Sequence, residues 1–313
     1  MYTEQELGRD SPWESRFDHI YTKTEGITFH MKNRFFAGLL LAGILAAPIA
    51  AQMPESYLDV DIAKVKMGKR SEFDSINKRM VEINRKNKGD NWLAYQVMYG
   101  EPNTIYFVST RAGYGAAEQG MKAFEGALTK AVGAAGMHKL LADWDATVES
   151  ERAELRRRRW DLSASAPADA AAYNQLVGQS RYLRTAIVHT RPGKALDYEA
   201  QLRLNKSAQE RVNFGVASLV SQGLAGQQAG VFYITTLVKS LGDLDNIKPL
   251  QEVLGSSYAS YQKAVAESVA NTEIIIARFL PELSNPPEEV VAVDAKFWRP
   301  APPPPPKPAE AKK

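Results

Sequence analysis

From Tyr57 to Val65 the chain alternates, with Leu58, Val60 and Ile62 apolar and Asp59 and Asp61 set between them. A period of two predicts a strand. Met67-Gly68-Lys69 interrupts it, and from Ser71 onward Phe73, Ile76, Met80 and Ile83 recur at steps of three and four, the stripe of an amphipathic helix. Lys88-Gly89-Asp90-Asn91 supplies the turn chemistry that closes this helix. Two aromatic and β-branched runs, Trp92 to Tyr99 and Thr104 to Thr110, flank Gly100-Glu101-Pro102-Asn103 and predict a hairpin. A helical region begins near Ala116, with Met121, Phe124, Leu128 and Val132 on one stripe. Gly133 and Gly136 divide it before Leu140, Leu141, Trp144 and Val148 continue it. A last strand over Leu155 to Leu162 completes the order β-α-β-β-α-β.

The same order then returns. Tyr57-Leu58, Gly68-Lys69 and Phe73-Asp74 recur at one constant offset as Tyr182-Leu183, Gly193-Lys194 and Tyr198-Glu199. A spacing held across three landmarks indicates duplication. Ile105 to Thr110 is echoed by Val231 to Thr236, and Val148 to Ser163 more faintly by Val269 to Ser284. The second copy is expected to place strands at Tyr182 to Val188, Phe214 to Ser221, Val231 to Val238 and Glu273 to Leu280. Its helices are expected over Leu196 to Val212 and between Leu244 and Ala270.

In each copy this is the ferredoxin-like unit, an antiparallel sheet with both helices on one face. The strands nevertheless carry bulky residues on both faces: Trp92, Leu93, Val97 and Met98 in the first copy, Val231, Phe232, Tyr233 and Ile234 in the second. A sheet open to water on one side should alternate cleanly. The fold class expected is therefore α+β, two tandem ferredoxin-like repeats packed sheet to sheet as an intramolecular pseudo-dimeric barrel. The pattern from Tyr57 to Ser284, a strand, a Gly-Lys turn and a helix with an aromatic near its start, resembles the dimeric α+β barrel superfamily. That superfamily includes antibiotic-biosynthesis-type monooxygenases, NIPSNAP-like proteins, muconolactone isomerases and the haem-containing chlorite dismutases. The resemblance implies a pseudo-dimer within one chain and a small pocket in each copy, and it transfers no catalytic residue.

Composition adds an address. Of 313 residues 44% are apolar and 24% charged, the balance of a globular protein, and the net charge of +3 with dispersed basic residues speaks against a nucleic-acid partner. Met31-Lys32-Asn33-Arg34, the apolar run Phe35 to Ala47 and the small-residue region Pro48 to Ala51 read as a secretory signal peptide cut before Gln52. The run is shorter than the roughly 20 residues of a membrane span, so no stable anchor is expected after cleavage. Met31 is read as the initiator. There is no cysteine, so neither a disulfide nor a lipidated cysteine is available. A periplasmic or secreted protein is expected, divided into residues 1–30 as an upstream extension, 31–51 as the signal, 52–163 and 181–284 as the repeats, and 164–180 as an Ala- and Ser-rich linker. Residues 285–313 are expected to form an extended Pro-rich tail that buries no core.

Candidate chemistry is sparse. Asp59 and Arg184 are equivalent under the repeat offset, and if their common face lines the interface between copies they pair there; otherwise they are solvated charges. Along Arg156-Arg157-Arg158-Arg159 alternate guanidinium groups must point to opposite faces of a strand, and two of them facing inward would suit a carboxylate or other anion. Ion pairing to Glu149, Glu151 and Glu154 is the structural alternative, and Arg157 aligns with Arg278. Trp92, Tyr95, Gln96, Tyr106, Trp144 and Arg158 are the candidate ligand-binding set, an aromatic group with amide and guanidinium donors; the alternative is that the aromatics are core. Downstream of the signal the histidines are His138 and His189, with no local haem motif, no clustered zinc ligands, no G-x-S-x-G elbow and no phosphate-binding glycine loop. No cofactor is expected. The expectation is an exported, non-enzymatic barrel that binds a small apolar or anionic molecule or serves an envelope assembly, with a cofactor-independent monooxygenase or isomerase as the alternative.

Overall fold

The structure, a computed structural model, describes residues 53–300. The signal-peptide region, the upstream extension and the end of the Pro-rich segment lie outside the described residues. Eight strands form a closed antiparallel barrel: β1 (Tyr57–Val65), β2 (Leu93–Tyr99), β3 (Thr104–Arg111) and β4 (Val148–Arg158) from the first repeat, β5 (Tyr182–Thr190), β6 (Leu219–Ala225), β7 (Val231–Val238) and β8 (Val269–Phe279) from the second. Their order around the barrel is β1-β3-β2-β8-β5-β7-β6-β4. Each repeat keeps the ferredoxin-like order, and its second strand hydrogen-bonds the fourth strand of the other. The seams pair Tyr95 with Phe279 and Val97 with Ala277 on one side, Arg156 with Gly223 and Arg158 with Ser221 on the other. The bare faces of the two sheets thus become one lumen, and closure leaves no free strand edge.

Helices cover the outside. Helices α1 (Arg70–Asn87) and α2 (Tyr114–Asp145) pack on each other through Met80, Leu128 and Leu140, and Phe73 of α1 and Trp144 of α2 reach Ala63, Val65, Ala94 and Ile105 of the sheet. Gly133, with φ of 73°, interrupts α2 where the sequence places a division. On the second repeat α4 (Ala195–Arg211), α5 (Leu250–Leu254) and α6 (Tyr258–Ser268) follow, with Tyr198 and Leu202 of α4 packed on Val188, Val220 and Phe232.

Four expectations about the elements are corrected. The last strand of the first repeat begins at Val148 rather than Leu155, and β6 begins at Leu219 rather than Phe214. Residues 164–180 are more than a linker, because they carry α3 (Ala170–Gln179), capped by the Asp169 carboxylate accepting from the Ala172 N–H at 2.8 Å. Residues 285–300 are not an extended tail: they form α7 (Glu288–Val293) and α8 (Ala295–Trp298). Val177 of α3, Val290 and Val291 of α7 and Trp298 of α8 join Leu58, Leu183 and Phe279 in the barrel core. The Trp298 indole is fully buried, donates to the Gly178 carbonyl at 3.0 Å and packs on Phe279 at 5.4 Å between ring centroids. A proline-rich stretch with apolar residues at Val290, Val291 and Trp298 buries enough surface to order itself, and it stops one end of the barrel.

Candidate functional site

The opposite end is open. A cavity of about 360 Å3 enters there, walled by Ile62, Val97, Ile187 and Ile275, floored by Tyr106, Tyr233 and Gln227, and rimmed by Lys64, Glu101, Arg152, His189 and Glu273. It is built by alternation: residues of β1, β2, β3, β4, β5, β7 and β8 whose side chains point inward meet in the lumen.

Beneath the floor the lumen is filled by a stack. The Tyr95 and Tyr106 rings stack at 4.8 Å and 12°, and the Arg156 guanidinium carbon lies 3.6 Å from the Tyr233 ring centroid and 6.0 Å from that of Tyr106. Arg156 donates through Nε to Glu154 Oε2 at 2.8 Å, and its Nη2 stands 2.7 Å from the same oxygen without hydrogen-bond alignment. Glu154 also accepts from the Tyr233 hydroxyl at 2.7 Å and from the Gln227 amide, and it is ion-paired to Arg152, whose Nε stands 2.8 Å away. Gln227 reaches this carboxylate from the turn between β6 and β7, which lies against β4; a Cβ on Gly226 would stand 1.9 Å from the Ala153 carbonyl oxygen.

The electrostatics follow. Burial pushes the Glu154 carboxyl up, but Arg156, the Tyr233 and Gln227 hydrogen bonds and Arg152 together hold it below the ordinary carboxylate range. Burial pulls Arg156 down, and the Tyr233, Glu154, Tyr95 and Tyr106 oxygens more than restore it. The hydroxyls of Tyr95, Tyr106 and Tyr233 are all pushed up, first by burial and then, against the pull of Arg156, by neighbouring oxygens. At neutral pH the layer holds an ionised carboxylate, guanidinium cations and neutral phenols.

Of the candidate ligand-binding set, the structure brings only Tyr95 and Tyr106 together here; Arg156 of the arginine run joins them, and His189 stands at the rim. Trp92 lies at the outer end of β2, donating to the Leu283 carbonyl at 2.8 Å and edge-on to Phe124 at 5.8 Å. It borders a second hollow of about 310 Å3 with Leu93, Val108, Trp160 and Tyr173. Gln96 faces outward and accepts from Arg278 at 3.3 Å. Trp144 packs under α2 against Phe73 at 5.9 Å. Arg158 faces inward below the stack, its guanidinium carbon 5.4 Å from the Trp160 ring, outside the residues that line the cavity. The Asp59 and Arg184 pairing is corrected: both face outward, on strands at opposite sides of the barrel. Asp59 instead pairs with Arg111 at 3.2 Å, which also grips Asp90 through two bonds of 2.6 Å. His138 is exposed on α2.

The residues missed are Arg152, Gln227 and Tyr233; Arg156 stands in the arginine run and Glu154 among the carboxylates expected to pair with it, and that pair forms. A signal existed for Arg152, since Arg152, Glu154, Arg156 and Arg158 share one face of a strand and a lone carboxylate among three guanidinium groups marks a buried pair. Tyr233 was obscured by register. The echo of Ile105 to Thr110 in Val231 to Thr236 sets Tyr106 against Phe232, but β3 pairs Tyr106 with Ile62 and β7 pairs Tyr233 with Ile187. The equivalent residues are Tyr106 and Tyr233, one position further on, and a slip of one residue exchanges the faces of a strand.

No protein-family model matches the chain, and no curated protein matches it significantly. Solved structures similar to it include an anthrone oxidase-like protein, 11% identical over 72% of this chain and 91% of the other, with a TM-score of 0.45. A heme-binding protein from Thermus thermophilus is 11% identical over 74% and 92%, TM-score 0.41, and a chlorite dismutase from Candidatus Nitrospira defluvii in complex with imidazole is 11% identical over 76% and 94%, TM-score 0.42. At these identities and scores the likeness carries no statement of activity.

Proposed function

We propose that this chain is an exported barrel whose lumen binds a small organic molecule without transforming it. The observation that carries this reading is the cavity of about 360 Å3 at the open end, walled by four aliphatic side chains and floored by neutral phenols. Small-molecule pockets are concave and combine apolar walls with polar groups that fix orientation; here the polar groups outnumber the aliphatic ones, so the ligand expected carries a polar end. Catalysis by proton transfer wants a group poised near the working pH. Glu154 is saturated with donors and held ionised, and the tyrosines are held protonated, so neither serves as a base. An enzymatic version of the site, as a cofactor-free oxygenase or isomerase, would have to work through His189 at the rim.

Native mass spectrometry of the protein purified under gentle conditions tests this reading. A bound small molecule released intact is expected, and Ile275→Trp, which fills the cavity, should abolish its retention. Oxygen uptake or product formation with polycyclic phenols, lost in His189→Ala, would replace binding by catalysis. Export rests on the basic start, apolar run and small-residue region before Gln52. Amino-terminal sequencing of the mature protein should begin near Gln52, and any other start overturns it.

A further inference from the structure

The inward face of β4 carries Arg152, Glu154, Arg156 and Arg158, three cations and one anion. Arg158 has no carboxylate partner among the described residues, and Arg156 shares Glu154 with Arg152. Positive charge inside a barrel, in excess of its counter-charge, is costly unless something negative neutralises it. Arg152 is the member that reaches the cavity. It is ion-paired to the fully buried Glu154, its Nε 2.8 Å from the carboxylate, and no hydrogen bond from its terminal nitrogens occurs among the described residues. A guanidinium held at one edge presents the rest of its fork in a set direction, the geometry that suits a carboxylate.

We infer that the lumen takes an organic monocarboxylate, its head group on the free nitrogens of Arg152 and its apolar body along Ile62, Val97, Ile187 and Ile275. This rests on the reading of the lumen as a binding pocket and adds the ligand's charge and orientation. The excess positive charge of β4 lies behind the head group. Glu101, Glu151 and Glu273 line the same mouth as Arg152, and a second carboxylate at the inner end of the ligand would meet the neutral phenols of the floor and the ionised Glu154 beneath them. The site therefore ranks hexanoate above adipate, and hexanoate above the neutral hexanol.

Isothermal titration with hexanoate, adipate and hexanol, and amide chemical shifts of Ile62 and Ile275, test the assignment. A charge-assisted fork corresponds to about 10- to 100-fold in affinity, and this is the expected preference for hexanoate over hexanol. Arg152 is half exposed, its side chain retaining 54% of its accessible surface, so Arg152→Met should fold. It should lose the same 10- to 100-fold for hexanoate and leave hexanol unchanged. Ile275→Trp should lose both. Equal affinities for hexanoate and hexanol, each abolished by Ile275→Trp, would overturn the charge assignment and leave the pocket standing. Tighter binding of adipate, or hexanoate binding indifferent to Arg152→Met, would also overturn it. If none of the three compounds moves the Ile62 and Ile275 amides, this assignment falls; a metabolite still released by the purified protein would separate that failure from failure of the pocket itself.

Discussion

Strands β4 and β8 occupy the same place in their repeats, yet their inward faces are opposites. Where β4 carries Glu154, Arg156 and Arg158, the pairing of each with its repeat's first strand shows that β8 carries Ile275, Ala277 and Phe279. The apolar version packs conventionally, with Phe279 edge-on to Tyr95 at 6.1 Å and against Trp298 at 5.4 Å. In the charged version the Arg156 guanidinium lies on Tyr233 much as the Tyr95 ring lies on Tyr106. Duplication supplied two equal seams; divergence left one as core and made the other a charged layer beneath a cavity. A buried ion pair is weak support for stability, because desolvation offsets most of the Coulombic gain. Its retention on one side alone points to a role other than holding the barrel closed.

The largest expected effect comes from breaking that layer in half. Glu154→Ala leaves Arg156 buried without its counter-charge and frees Arg152, and should destabilise the protein by about 3–5 kcal/mol in urea denaturation. Copying β8 into β4 with Glu154→Ile and Arg156→Ala together should recover much of that loss, since an apolar replacement of a buried pair is often neutral. A double variant as unstable as the single one would show that the charges are needed for folding. The plugged end is compared with the open end by Trp298→Ala, expected to cost about 3–5 kcal/mol by loss of a fully buried indole. If residues 285–300 were loosely attached, it would cost nothing measurable.

The equivalent tyrosines should part company. Tyr233→Phe removes a hydrogen bond to an ionised carboxylate and should cost about 1.5–3 kcal/mol. Tyr106→Phe removes a hydroxyl that has no hydrogen-bond partner among the described residues and should cost less than about 0.5 kcal/mol. Equal losses would put the asymmetry between the seams in doubt. Acid titration reads the same contrast. Glu154 is held below its unfolded value, so its contribution is fully present above about pH 4.3 and is lost as pH falls through the lower folded value. Wild type should lose stability in that window more steeply than the Glu154→Ile, Arg156→Ala variant. The smallest effect belongs to Arg157, which alternates outward between two inward arginines. Its side chain stands 3.6 Å from exposed Glu55, so Arg157→Ala should change stability by less than about 1 kcal/mol.

Much of the barrel was legible because alternation and helical stripes are local signals. Strand β1 has the bounds that its alternation predicts, and the break at Gly133 falls where the glycine stands. The starts of β4 and β6 were misplaced because Val148 to Arg152 is polar and the stretch from Phe214 to Ser218 is not; edge composition is a poor guide to pairing. The site was less legible. Trp92, Gln96, Trp144 and Arg158 have the right chemistry but point elsewhere, while Gln227 lies in a turn with nothing in its neighbourhood to mark it.

By itself the sequence determined that there are two copies of one β-α-β-β-α-β unit, and that each needs a cover for its second sheet face, because repetition and hydrophobic periodicity are properties of neighbouring residues. Only the tertiary structure decided which strands close the barrel, β2 on β8 and β6 on β4, that Tyr106 answers Tyr233, that α3, α7 and α8 stop one end, and that Asp59 belongs with Arg111. Those outcomes depend on register and on contacts between residues far apart in the chain. A shift of one position, invisible in composition and nearly invisible in the repeat, moves a side chain from one face of the barrel wall to the other.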